Sequence, residues 1–259
     1  MKKSSTQSGF SLAETLIALG ILAVGMMFIA GAFPVAIQLT TVSVERTTAA
    51  VIAEEAFAKV KLYAKGDPVK NAAGNDDIDM QKLSTSDLID ITDLSIDAFP
   101  SLRDVGQYEF TYPSTGPPLD PNSRYCWSAL CRLTGPASEN PPVQVTVFVC
   151  RKTGRTLQFH KDSGGTSDWP APCKISVKGI ANNQLQLDSE KTYVNDDCTI
   201  VDDNTGQIYR VVRRLPAPND NKVQLERAWQ GGTEAWIVPP AVGGGRNPCI
   251  GVFQKEIKF

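Results

Sequence analysis

The sequence predicts an α+β chain: a long N-terminal helix whose first half spans a membrane, then an antiparallel sheet, then an additional small all-β module. Three observations lead there. From Thr15 to Leu39 no residue is charged, a run longer than the roughly 20 residues a helix needs to cross a bilayer. From Val42 to Ala64 there is no Pro or Gly, and Ala49, Ile52, Ala53, Ala56, Phe57, Val60, Tyr63 and Ala64 recur at three- to four-residue spacing, which draws one apolar stripe on a helix. Beyond Tyr108 the pattern changes to short alternating runs separated by turn residues, the signature of strands.

The helix begins behind a basic start. Lys2 and Lys3 precede the apolar run with nothing acidic before Glu14, so the charge bias leaves the N-terminus in the cytoplasm and the rest of the chain outside. Two processing schemes compete. Ala30-Gly31-Ala32 before Phe33 would serve as the cleavage site of an ordinary secretory signal. The apolar run, however, continues past it through Phe33, Val35, Ala36, Ile37 and Leu39. Glu14 is the second anomaly: a charged side chain near a bilayer centre costs roughly 3 kcal/mol on insertion scales and is usually functional.

Gly9-Phe10-Ser11-Leu12-Ala13-Glu14, followed by the long apolar stretch, resembles the leader of the type IV pilins and type II secretion pseudopilins. The resemblance covers about the first 40 residues. It implies a leader of residues 1–9 cut after Gly9 by a prepilin peptidase, an N-methylated amine on Phe10, and an apolar helix retained in the mature protein. It also implies a role for Glu14. A carboxylate stranded in lipid must find a cation or take up a proton, and in that family it meets the terminal ammonium of a neighbouring subunit, which sets the axial register. The alternative for Glu14 is a side chain at headgroup level that snorkels to water. Gly31 to Pro34 lies inside the helix as a soft point that melts on assembly, or as a kink without function. The partners implied are other pilin or pseudopilin subunits, the prepilin peptidase and methyltransferase, and an inner-membrane assembly platform. The location implied is a single-pass inner-membrane protein with a periplasmic head, extracytoplasmic once assembled.

The fold that the resemblance implies is one helix from Phe10 to Lys65, with residues 10–39 in the membrane and the remainder lying on a head of residues 66–165. Gly66-Asp67-Pro68 supplies the stop. The acidic clusters Asp76 to Asp79 and Asp87 to Asp93 lack the spacing and closing Glu of a calcium loop, and read as solvated loop. Tyr108 to Tyr112 alternates as a strand. Arg124 to Leu133 and Val143 to Arg151 form a hairpin around the turn region 135–142. A register pairing Trp127 with Val149, Ala129 with Val147, Cys131 with Val145 and Leu133 with Val143 collects one wholly apolar face, and a one-residue slip would turn that face outward. The same register sets Cys126 opposite Cys150, which predicts a Cys126 to Cys150 disulfide. All six cysteines lie beyond position 125, which suits an oxidising compartment.

Gly164-Gly165 and Trp169 to Pro172 read as a boundary. Past it, residues 173–259 read as a β-barrel or sandwich: Cys173 to Ile180, Gln184 to Leu187, Cys198 to Asp202, Gln207 to Arg213, Val223 to Trp229, Ala235 to Val238 and Ile250 to Phe259, with Asp203 to Gly206 as a hairpin turn. The resemblance does not reach this tail.

Composition and motifs narrow the function. With 26 basic against 28 acidic residues, no basic field attracts nucleic acid. A single histidine, His160, and no CxxC spacing argue against zinc. The sequence has no GxSxG, HExxH, GxxxxGK[ST] or GxGxxG signature, and Gly243-Gly244-Gly245-Arg246 reads as a turn. No cofactor and no catalysis are expected. Trp127, Trp169, Trp229 and Trp236 offer core filling or an aromatic platform. The sequence thus points to a structural subunit, and the bulk of the head to a minor one, since a large head is hard to pack around every turn of a filament. The rival is a secreted or membrane-tethered β-domain binding a glycan or protein ligand, with residues 1–32 as a removable signal.

Overall fold

The computed structural model describes residues 11–64, 83–91, 107–114, 123–135, 142–152, 154, 156–162, 164–180, 183–188 and 191–258. It contains one long helix and many strands in antiparallel sheets, including a separate six-stranded barrel, an α+β chain with an extra β module. The chain divides into a unit up to Thr47 and a unit from Thr48 onward. Helix α1 runs from Leu12 to Ala64. The stop expected at Gly66 to Pro68, the residues Gly9 and Phe10, and most of the acidic clusters lie outside the described residues.

In the second unit, the apolar stripe of α1 does what its spacing predicts. Ala49, Ile52, Ala53, Ala56, Phe57 and Val60 are buried against Trp127, Ala129, Cys131, Leu133, Val143, Val145, Val147 and Val149. Those sheet residues come from β3 (Tyr125–Leu133) and β4 (Val143–Arg151), paired so that Trp127 faces Val149 and Cys126 faces Cys150. The register is the one the apolar alternation requires. Ile52 and Val60 are fully buried there, and each contributes about 1.5–3 kcal/mol of transfer free energy. Lys59 fixes the helix further: its ammonium meets the carboxylates of Glu55 at 3.0 Å and Glu109 at 2.8 Å.

At one edge, β1 (Ile89–Asp90) and β2 (Thr111–Tyr112) both pair with β3. The strand expected over Tyr108 to Tyr112 is mostly a 3₁₀ turn, Gln107–Phe110, and only Thr111 and Tyr112 join the ladder. The turn brings Phe110 edge-on to Trp127, ring centroids 5.0 Å apart, so packing onto the helix-side core overrides the local alternation.

The hairpin β5 (Phe159–His160) and β6 (Thr166–Ser167) turns through Gly164 and Gly165. The next six strands close a barrel: β7 (Cys173–Ile180), β8 (Gln184–Leu187), β9 (Thr199–Asp202), β10 (Ile208–Arg214), β11 (Lys222–Leu225) and β12 (Glu234–Ile237), in the spatial order β10-β11-β8-β7-β12-β9. Alternate residues point inward, so that Ile175, Val177, Leu185, Leu187, Ile200, Tyr209, Val211, Val223 and Leu225 fill the interior. β10 pairs with β9 over Ile208 to Arg210 and with β11 from Val211 onward, and a bulge between Val211 and Arg213 bends it within that second ladder. The strand expected over Val223 to Trp229 stops at Leu225: its partner β8 is only four residues long, and Trp229 folds onto Tyr209 instead, 4.6 Å between ring centroids.

The last strand departs from the expectation. β13 (Cys249–Ile257) does not belong to the tail module; it pairs along β4, with Val252 opposite Phe148 and Ile257 opposite Val143. The barrel is therefore an insertion between two neighbouring strands of the first sheet. A strand pattern specifies which residues share a face, not which distant strand will pair with it.

The sheet face turned away from α1 is buried too. Leu130, Phe148, Cys126 and Cys150 pack with Trp169, Val201, Trp236 and Val238. Polar contacts hold the same junction. Gly206, in the β9–β10 turn, has φ +69°, and a Cβ there would lie 2.5 Å from Oε1 of Gln144, so the turn needs glycine for both its conformation and its close approach. Its carbonyl accepts from Gln254, whose amide also donates to Thr146 Oγ1 at 3.0 Å, and Arg132 donates to the Asn204 carbonyl. Asp203, 1% exposed, accepts from the Leu88 N–H at 3.1 Å, Trp236 Nε1 at 2.6 Å and Lys174 Nζ at 3.0 Å. Burial opposes the charge on Lys174, but hydrogen bonds and charge from Asp203 and Glu234 outweigh it and raise its pKa above that of a free lysine.

Candidate functional site: the N-terminal segment and the cysteines

The first unit is set by elementary helix chemistry. Ser11 stands before the first helical residue; its hydroxyl accepts from the Ala13 N–H at 3.3 Å, and its carbonyl accepts from the N–H groups of Glu14 at 3.0 Å and Thr15 at 3.2 Å. Ser11 and Glu14 have the spacing of a capping box. Glu14 is thus an acid in the first turn, where the helix dipole favours negative charge. Past it, Leu16, Ile17, Leu19, Ile21, Leu22, Met26, Met27 and Phe28 are all more than half exposed. This helix is long and apolar enough to cross a membrane. Its hydroxyls suit that medium, since Thr40 donates to the Ala36 carbonyl at 2.8 Å and Thr41 to that of Ile37 at 2.9 Å, leaving neither donor in need of water.

Gly31 and Pro34 lie within a continuous helix, where the ring at Pro34 removes the donor that the Ala30 carbonyl would otherwise meet. A Cβ added at Gly20, Gly25 or Gly31 would touch nothing within 4 Å. Among the described residues no contact explains these glycines.

Cys126 and Cys150 stand opposite one another as the register predicted, and a third cysteine joins them. Cys249, at the head of β13, is the partner of Cys150 on its other side. The sequence reading missed Cys249 because it assigned the last strand to the wrong sheet. Hydrogen bonding with Cys126 and then with Cys249, together with burial, keeps the Cys150 thiol protonated well above the usual thiol range. Burial pushes Cys198 up to about 12, and burial next to the Asp90 carboxylate raises Cys131 further still. His160 is half-buried and stacks on Tyr193, 4.5 Å between ring centroids, while its carbonyl accepts from the Cys173 thiol at 3.3 Å. Among the described residues no cluster of His, Cys, Asp and Glu has the arrangement of a metal site. Trp127, Trp169 and Trp236 are buried and Trp229 is half-buried, all four within the cores described above.

Residues 4–30 match the family model of the prokaryotic N-terminal methylation motif. The chain thus carries a prepilin-type cleavage and methylation segment leading into a long apolar helix, which supports its place in the type IV pilin and pseudopilin family. Pilin-type proteins are structural rather than catalytic, and the motif implies processing by a prepilin peptidase and assembly with other pilin-type subunits. The apolar helix is consistent with membrane anchoring. Comparison with curated proteins and comparison with solved structures find no match.

Proposed function

We propose that the chain is a minor pilin or pseudopilin of a type IV pilus or type II secretion machine, with no catalytic role. In this reading the peptidase cuts after Gly9, Phe10 is N-methylated, α1 holds the subunit in the inner membrane with its N-terminus cytoplasmic, and the head lies outside. The observation that carries the reading is the methylation motif over residues 4–30 running into a helix whose apolar surface is uncovered. The freed amine of Phe10 on one subunit neutralises Glu14 of its neighbour, since any other stagger leaves a charge unpaired in lipid. Gly20, Gly25 and Gly31 meet nothing among the described residues that requires them to be small, and small residues let membrane helices approach closely. Gly31 and Pro34 are the point where the helix yields on assembly. The inserted barrel favours the minor role, because it adds bulk to every copy.

Glu14→Gln tests the pairing. The variant is cleaved and reaches the membrane as the parent does, yet its share of recovered assemblies falls at least tenfold. Incorporation at the parental level would return Glu14 to a simple place at the headgroups.

A further inference from the structure

Cys150 has a thiol neighbour on each side, and it can bond to only one of them. The two pairs differ in kind. Lys152 donates its N–H to the Arg124 carbonyl at 2.8 Å, which makes those two residues a hydrogen-bonded pair. The two pair types alternate along an antiparallel ladder, so Cys126 and Cys150, two positions further on, are a hydrogen-bonded pair as well. On the other side Arg151 donates to the Pro248 carbonyl at 2.8 Å. That bond flanks Cys150 and Cys249 and makes them a non-hydrogen-bonded pair. Side chains stand closer in pairs of this second kind, and a disulfide needs its Cβ atoms only about 3.5–4.5 Å apart.

Topology points the same way. The chain leaves the first sheet at the end of β4 and re-enters it at Cys249, having built the whole barrel in between. Cys150 and Cys249 therefore sit at the neck of the insertion, one on the outgoing and one on the returning strand. A bond there closes the loop that carries the barrel; a bond from Cys126 to Cys150 would only staple a hairpin already fixed by its nine-residue strands.

From the pairing and the topology we infer that Cys150 and Cys249 form a disulfide that clasps the inserted barrel onto the sheet, with Cys126 left as a buried thiol. This revises the pairing expected from the sequence. It also rests on the proposed extracytoplasmic position of the head for its oxidant, a protein or small-molecule disulfide. Cys249 is partly exposed and Cys150 fully buried, which orders the steps. The Cys249 thiolate attacks the oxidant's disulfide and displaces one thiol. Cys150 then attacks the Cys249 sulfur of the mixed disulfide, loses its proton to the departing sulfur and releases the second thiol. Two thiols of the protein are oxidised as one disulfide of the oxidant is reduced. Once formed, the bond is shielded from external thiols on its Cys150 side, because that sulfur is fully buried.

The test is to isolate the full chain from membranes in detergent with free thiols alkylated at lysis, and to map tryptic peptides without reductant. Cleavage at Arg132, Arg151 and Arg246 separates the three cysteines. The result expected is a peptide carrying Cys150 linked to one carrying Cys249, with Cys126 alkylated, and the same link in a Cys126→Ser variant. A link from Cys150 to Cys126, a link from Cys249 to Cys198, or alkylation of all six cysteines would each overturn it. In the last case, treating unalkylated protein with oxidised glutathione separates two failures. Formation of the Cys150 to Cys249 link there places the error in the compartment, and its absence places the error in the pairing.

Discussion

Replacing Gly9 with valine leaves the chain uncut: it accumulates in membranes nine residues longer than the mature wild type and disappears from assembled material. In the proposed processing, glycine at the cleavage position presents backbone without a Cβ to a peptidase acting at the membrane surface. If the bond after Gly9 survives, Phe10 has no free amine, and Glu14 of the neighbouring subunit loses its cation. A lone carboxylate costs up to roughly 3 kcal/mol, the value at the bilayer centre, which by mass action is up to roughly a hundredfold against the assembled state. The measurement is an immunoblot of membranes and of recovered assemblies, with intact mass for the longer species. A Gly9→Val chain that ran at the mature size, or that entered assemblies uncut, would contradict the account.

The second large effect is on the head. Phe148→Ala destabilises it by about 3–5 kcal/mol, the range for truncating a fully buried aromatic ring. Phe148 is 0% exposed and occupies the layer between β4 and the barrel, among Leu130, Trp169, Val201 and Trp236. Its removal empties space on the sheet face opposite α1, so the junction to the barrel is lost before the core that Ile52 and Val60 build on the other face. Thermal unfolding of the detergent-solubilised chain is expected to shift down by on the order of 10 °C, with faster proteolysis between β4 and β7. Val212→Ala, at a side chain half exposed on the barrel exterior, serves as the control and stays within about 0.5 kcal/mol. A Phe148→Ala shift no larger than that of the control would mean the barrel is not held by this layer.

Much of this architecture is legible in the sequence, for a specific physical reason. Where one face of an element is buried, its residues must be apolar at the period of that element, so the stripe from Ala49 to Val60 and the apolar set of β3 and β4 give both the element and its register. Five barrel strands, β7, β8, β9, β10 and β12, follow from the same kind of pattern, and the turn residues mark Asp203 to Gly206. What failed involves partners distant in sequence. The pairing of β13 with β4 spans the whole insertion, and nothing local distinguishes a strand returning to its first sheet from one completing the barrel. The identity of Cys249 as a neighbour of Cys150 was lost with it. The stretch at Tyr108 misled because Phe110 is apolar for its contact with Trp127 in a turn, not for a place in a ladder. At the N-terminus the position is reversed. The motif around Gly9, Phe10 and Glu14 is read from the residues alone, and in the proposed function its partner belongs to another molecule, where contacts within one chain cannot report on it.

The claim beneath the proposed function is that the apolar helix is kept and the residues before it are removed. Intact-mass and N-terminal peptide analysis of the chain purified from membranes tests this directly. The account predicts a polypeptide beginning at Phe10 with a methylated α-amine. A chain beginning at Phe33, or one still carrying residues 1–9, would contradict it.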